Sequence, residues 1–269
     1  MSRRSLFYKN GERPSRLLRL LLPVSGFAII LLVWSLVTYR GQVPEYFLPA
    51  PGSIAVTFLE LLQESGFLTH LGTSIRRILI GFIFSTLIGL PLGLGIGLIQ
   101  PIATIFSPLI DALRYTPITA FIPLLVLWFG TGDTQKTVVI LLGTAPYLAV
   151  LVADIVANIR TEYIDTAFTL GATPRQILTR VVLPYTLPGI WDALRVSLGI
   201  AWTYLLTAEL VGATFGLGHF IMRSQRFLQT ANIIVSILVI GAIGLISDYA
   251  FKYTYSHFFH WSTLATHRK

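Results

Sequence analysis

Cysteine is absent from the 269 residues, which excludes a disulfide framework, a thiolate nucleophile and any thiolate metal site. Charge is scarce as well: Asp, Glu, Lys and Arg together make up 12% of the chain, about half the share found in soluble domains. Catalytic signatures are missing, with neither a His-Glu-x-x-His zinc pair nor a Gly-x-Ser-x-Gly nucleophile elbow. His257 and His260 share a face of "SHFFH", but two ligands are too few for a metal, and an amphipathic helix end explains them. No internal repeat or low-complexity tract appears, so nothing supports an inverted-repeat secondary transporter.

What is present is hydrocarbon. Hydrophobic residues make up 54% of the chain, in runs near the roughly 20 residues that cross a bilayer. The composition implies an all-α, polytopic membrane protein with one membrane domain and no soluble domain. Six spans are expected, at 18–39, 74–99, 102–129, 137–157, 187–211 and 230–251. Although the formal charge of +8 is compatible with nucleic-acid binding, the basic residues sit at the ends of apolar runs and fit membrane orientation better.

Six crossings leave both termini on one side. The positive-inside rule then makes 1–17 a cytoplasmic basic tail, 18–252 the membrane domain with a cytoplasmic loop at 158–186, and 253–269 a cytoplasmic C-terminal tail. Twelve Lys or Arg fall on that side: Arg3, Arg4, Lys9, Arg13, Arg16, Arg19, Arg160, Arg175, Arg180, Lys252, Arg268 and Lys269. Six fall opposite: Arg40, Arg76, Arg77, Lys136, Arg223 and Arg226. Arg3 and Arg4 have the look of a twin-arginine signal, but no small-residue cleavage site follows, so the first helix is expected to remain attached.

"GTGDTQKT" at 130–137 nearly reads as a phosphate-binding loop. Gln135 replaces its second glycine, a membrane span precedes it in place of a strand, and the topology puts it outside the cell. It is a turn between spans. If ATP drives this protein, another polypeptide hydrolyses it.

Other local features are structural in character. "FLPAPGSIAVTFLELL" places Ile54, Phe58, Leu61 and Leu62 at helical spacing, which predicts an interfacial helix outside the membrane. The glycines of "GLPLGLGIGL" invite close packing by a neighbouring helix of the same subunit. Pro108, Pro117, Pro123 and Pro146 weaken helical hydrogen bonding within spans; bends in a moving pathway and ordinary membrane prolines read alike here. Asp111 with Arg114, and Asp192 with Arg195, stand at i, i+3 and can neutralise one another, or the arginines border a passage for anions. Glu209 reads equally as an interfacial residue or a gate contact.

The stretch "TEYIDTAFTLGATPRQI" at 161–177 is polar amid apolar segments. Ile164 and Phe168 share a helical face with Ala167 and Leu170 close by, Gly171 permits a tight turn, and Pro174 restarts a helix. A helix of about ten residues spans roughly 15 Å, too short to cross a membrane and suited either to joining two spans or to lying in a partner's groove.

The segment "DTAFTLGATPRQILTRVVLP" resembles the cytoplasmic loop of permease subunits of binding-protein-dependent ABC importers: Glu-Ala-Ala, three residues, Gly, nine residues, Ile, one residue, Leu-Pro. Here Asp165, Thr166 and Ala167 fill the triplet, Gly171 matches the glycine, Val181 stands for the isoleucine, and Leu183 and Pro184 close the pattern. Asp165 keeps the charge of Glu and Thr166 keeps the small size of Ala. "SIRRILIGF", "IPLLVLWFGTGDTQK" and "LPGIWDALRVSLGIAWTYLLTAELVGATFGLG" are similar to the nitrate, sulfonate, taurine and bicarbonate branch.

The resemblance implies a type I importer permease fold and transport by alternating access of a small oxyanion or sulfonate. It implies cytoplasmic ATP-binding subunits that carry the ATP and Mg, a second copy of the permease in a homodimer, and a periplasmic or lipid-anchored substrate-binding protein, all at the bacterial inner membrane. The permease itself carries no cofactor and no metal on this reading, and is not an enzyme. Asp165, Thr166, Ala167, Phe168, Leu170 and Gly171 would form the ATPase-coupling helix. Arg114, Arg195, Glu209, Gly216 and Gly218 would border the path or its gate, the two glycines on the outer side. The rivals are a passive anion channel and an integral-membrane enzyme.

Overall fold

The computed structural model describes residues 16–41 and 43–261, and among these the chain forms helices and turns with no strand. The basic tail expected at 1–17 falls outside the described residues but for Arg16 and Leu17, and the C-terminal tail expected at 253–269 is described as far as Trp261. Eleven α-helices follow in order: α1 Arg16–Tyr39, α2 Pro51–Gln63, α3 Ser65–Leu98, α4 Gln100–Tyr115, α5 Ile122–Phe129, α6 Asp133–Ala157, α7 Thr161–Thr169, α8 Pro174–Ile177, α9 Leu183–Leu210, α10 Leu217–Arg226 and α11 Thr230–Phe258.

Gly66–Leu98, Asp133–Ala157 and Thr230–Phe258 are long and apolar enough to cross a bilayer by themselves. α9 has the length, with 28 residues, but carries Asp192, Arg195 and Glu209. α1 is apolar over Val24–Tyr39, and its side chains from Leu21 onward are largely exposed, as a lipid-facing helix requires. The third expected span is not one helix. α4 and the segment Ile118–Phe129 meet at 82°, with a 3-10 turn over Ile118–Phe121 between them. Pro117 is the cause: it forces Thr116 into an extended conformation (φ −82°, ψ 128°), whereas Pro108 and Pro146 sit inside continuous helices. Pro123 opens α5 at its first turn, where its missing N–H costs nothing.

The centre of the bundle is α6, packed between α3 and α9. The α3–α6 contact depends on glycine. A Cβ at Gly89 would stand 2.8 Å from the Ala145 carbonyl oxygen, at Gly93 2.5 Å from the Ala149 oxygen, and at Gly97 2.6 Å from the Val156 Cβ. The stripe expected to admit a neighbour thus packs against a helix of the same chain, backbone nearly on backbone.

Four apolar clusters run along this core. At one end Val152, Val156, Ile159, Ile177, Val182 and Ile190 join α6, α8 and α9. At the opposite end Ile54, Leu61, Phe67, Leu217, Phe220 and Val235 join α2, α3, α10 and α11. α2 forms the helix expected over this stretch, and of its four spaced apolar residues Ile54 and Leu61 are buried. α11 continues past residue 251 to Phe258 because its last turns pack: Trp191 donates its indole N–H to the Phe251 carbonyl at 3.1 Å and Tyr255 is buried.

Candidate functional site

Within the 158–186 loop, α7 is closed at its C-terminal end and α8 is capped at its N-terminal end. α7 closes in a Schellman motif: Gly171, at φ +79°, donates its N–H to the Phe168 carbonyl at 2.9 Å, and Ala172 donates to the Ala167 carbonyl at 3.0 Å. Two residues later Thr173 and Gln176 form a capping box, with Pro174 at the first helical position of α8. A short π-helical turn, Leu178–Val182, carries the chain into α9.

These local bonds hold the loop's shape, and a few side chains fasten it to the bundle. Ile164, Ala167 and Ala172 pack against the cluster around Ile177 and Val156. No α7 residue is fully buried, and Phe168 (55%) and Leu170 (81%) stand exposed. The expectation that Ile164 and Phe168 would turn together toward one surface is corrected: Ile164 with Ala167 faces the bundle, and Phe168 is left on the outer flank. Asp165 and Thr166 are exposed beside it. All six residues expected to form the coupling helix are therefore brought into one surface-borne element, with apolar side chains presented outward.

At the other end of the bundle lies a buried charged cluster. Glu209 on α9 (1% exposed) accepts from Arg77 Nη1 at 2.9 Å and contacts Ser74 Oγ at 2.9 and 2.8 Å. The same arginine donates to the Phe215 carbonyl at 2.6 Å and, through Nε, to Asp133 at 2.7 Å. Arg76 reaches the other oxygen of Asp133. The N-terminus of α10 closes on this cluster: Gly216 donates to His70 Nδ1 at 3.0 Å, Leu217 to Ser74 Oγ at 2.8 Å, and Gly218 to Glu209 at 3.0 Å. A carboxylate against a helix N-terminus is favourable both as a hydrogen-bond acceptor and through the helix dipole.

The two glycines create the space for it. A Cβ at Gly216, where φ is +115°, would lie 2.2 Å from Glu209 Oε1; one at Gly218 would lie 2.6 Å from the Glu209 Cβ and 2.9 Å from the Leu206 carbonyl. Glu209, Gly216 and Gly218 thus form one assembly, and Glu209 is interior rather than interfacial. Arg77, Ser74, His70 and Asp133 complete it and were not singled out by the sequence. Their only signal was the polar spacing of "HLGTSIRR", which puts His70, Ser74 and Arg77 on one helical face.

Arg114 and Arg195 lie elsewhere. Arg114 pairs with Asp111 at 3.4 Å and stands 5.3 Å over the Tyr115 ring; Arg195 pairs with Asp192 at 3.5 Å. Both i, i+3 pairs form as the spacing anticipates, and Arg195 gains Asp248 of α11 at 3.3 Å as well. In the turn at 130–137, Lys136 is buried and donates to the Thr131 carbonyl, folded away from any phosphate.

The family profile for the inner membrane component of binding-protein-dependent transport systems matches residues 86–258. The chain belongs to that family, and within it lies close to the taurine and sulfonate permeases. It is 33% identical over 232 residues to the taurine transport system permease protein TauC of Escherichia coli, with 84% of each chain covered. It is 32% identical over 229 residues to an aliphatic sulfonates transport permease protein, SsuC, of Bacillus subtilis, covering 85% of this chain and 82% of that one. In fold it is similar to a chain of the MetNI methionine ABC transporter, solved in inward-facing conformations, with a TM-score of 0.64 at 23% identity over 72% of this chain and 98% of that one.

Proposed function

We propose that the protein is the membrane-spanning subunit of an ATP-driven importer for a small sulfonate, taurine or an alkanesulfonate, and that it works by alternating access. ATP and Mg are bound by separate cytoplasmic subunits, each gripping one α7. A second copy of the chain completes the translocation unit, and a substrate-binding protein delivers cargo at the opposite face. In this arrangement 158–186 and both termini lie in the cytoplasm, while the Glu209 cluster lies on the outer side, where Gly216 and Gly218 border the gate. Arg114 and Arg195 would flank the path.

The observation that carries this reading is α7 itself. Its C-terminal end is closed by the Gly171 and Ala172 hydrogen bonds, its inner face is fastened to α6, α8 and α9, and its outer flank presents Phe168 and Leu170 to solvent in a segment that keeps the spacing of the importer loop. A short rigid helix with protruding apolar side chains transmits displacement; a flexible joining loop would absorb it. Movement of a docked ATPase would then shift α6 and α9 between two packings.

Co-purification tests it. Phe168→Asp with Leu170→Asp is expected to abolish retention of the ATPase subunit and uptake while the protein still inserts. Full retention of both would remove the docking role. Uptake that persists after ATP depletion would identify a channel instead.

A further inference from the structure

The first turn of α10 has its three leading backbone N–H groups fixed by three different side chains. Gly216 donates to His70 Nδ1 at 3.0 Å, Leu217 to Ser74 Oγ at 2.8 Å and Gly218 to Glu209 at 3.0 Å. A helix cannot satisfy these donors by itself, so the acceptors decide whether the turn stays seated. Two of the acceptors belong to one ion-paired set: Ser74 donates to Glu209, and Glu209 is held by Arg77 at 2.9 Å. His70 stands outside that set. It is 7% exposed, and imidazole is the one acceptor type of the three whose ordinary titration falls between pH 5 and 8.

Accepting at Nδ1 requires the neutral ring, with its proton on Nε2. A second proton would sit on Nδ1 and face the Gly216 N–H, donor against donor. It would also place a positive charge at the positive end of α10. The groups around the ring either oppose that charge or are already committed. From α10, His219 stands 5.7 Å away between ring centroids and Arg223 acts on the imidazole electrostatically. Phe215 and Phe220 place their rings at 5.6 Å, and Arg77 follows on the same face of α3. Glu209 of α9, the carboxylate beside Gly216, is taken by Arg77, Ser74 and Gly218. Glu60 and Glu64 of α2 line a cavity with Arg223, and His70 is not among its walls.

We propose that His70 is a positioning residue that holds Gly216, and with it the first turn of α10, only while its ring is neutral, so that acid at this end of the bundle releases the turn. Gly216, at φ +115°, has no side chain of its own to anchor it once that bond is lost. The consequence for transport rests on the reading above that Gly216 and Gly218 border the outer gate: an acidic medium frees the border that a neutral one keeps seated.

Hydrogen exchange of the full-length permease in nanodiscs tests this, read as protection factors, in which the intrinsic pH dependence of exchange is divided out. From about pH 7.5 to about pH 5.5, protection of the peptide covering 214–220 is expected to fall about tenfold in the native chain, the size of one lost hydrogen bond, while the peptide covering 139–152 of α6 keeps its protection. His70→Asn offers a carbonyl oxygen in place of Nδ1 and takes up no proton, so its 214–220 protection is expected to stay at the neutral native level at both pH values. His70→Phe fills the space and accepts nothing, and is expected to show the acid level throughout. His70→Gln replaces the Asn variant if that one does not fold. Protection that does not change with pH in the native chain, an equal fall in the Asn and Gln variants, or a loss shared evenly with α6 would overturn the proposal. No ATPase subunit or cargo takes part, so failure here is separable from failure of the importer function.

Discussion

Arg77 and Glu209, 132 residues apart in sequence, meet at 2.9 Å in the interior of the bundle, and each is almost fully buried. Two charges taken out of water together are tolerable because each also bonds to its surroundings: the guanidinium to Asp133 and the Phe215 carbonyl, the carboxylate to Ser74 and Gly218. Arg77→Ala leaves the Glu209 carboxylate buried without its arginine and is expected to cost about 3–5 kcal/mol, whereas Glu209→Ala leaves Arg77 its pair with Asp133 and is expected to fall at the lower end of that range, about 3 kcal/mol. Asp133→Asn, at a half-exposed position, is expected to cost about 1 kcal/mol or less. Denaturant unfolding of the purified permease in detergent checks the order. Equal effects at Glu209 and Asp133 would show that the buried pair is not special.

Gly216 and Gly218 face the same carboxylate but differ in what stands behind it. Alanine at 216 meets the end of a movable side chain and a strained φ, whereas alanine at 218 meets the Leu206 backbone. Both are expected to destabilise the α10 end of the bundle by about 1–3 kcal/mol. In a double-mutant cycle, shortening Glu209 to Ala should recover part of the loss at 216 and little of that at 218. Identical coupling at both positions would contradict the geometry.

At Gly171 the constraint is backbone angle alone, since no atom lies within 4 Å of an added Cβ. Gly171→Asn, which tolerates a left-handed conformation, should keep uptake near the native level, and Gly171→Ala should cost about 1 kcal/mol of loop order. Gly171→Pro cannot reach φ +79° and loses the N–H given to Phe168, so uptake should fall at least about tenfold with insertion unchanged. Uptake rates in cells expressing equal amounts of each variant make the comparison; a fully active proline variant would end the lever argument.

Gly93→Val tests the α3–α6 contact. Its Cβ would fall 2.5 Å from a backbone oxygen, so the helices must separate, at a cost of about 2–3 kcal/mol and lost yield of folded protein. Gly244→Ala on α11 is the control. Nothing lies within 4 Å of that position, and better helix propensity should make the change neutral or stabilising by about 0.5–1 kcal/mol.

Local relationships were the legible ones. The Asp111–Arg114 and Asp192–Arg195 pairs, the turn at Gly171, the restart at Pro174 and the apolar face of α2 each depend on residues within four positions of one another. The break at Pro117 was foreseen only as one of several weak points. Pro108 and Pro146 carry the same chemistry yet leave their helices continuous, and only at Thr116 does the preceding residue leave the helical region. Ile164 and Phe168 were separable only once the packing of α7 on Ile177 was known.

By itself the amino-acid order determined that the chain is helical and apolar, the rough extent of most of its apolar helices, and the turn and restart within its loop, because hydrophobicity and i to i+4 hydrogen bonding act over short stretches of chain. Which charges meet inside was decided only by tertiary structure. Arg77 looked like any other basic residue at the end of a span, and Glu209 read equally as an interfacial residue or a gate contact; their burial follows from how closely α3, α9 and α10 pack, which the clearances at Gly216 and Gly218 allow.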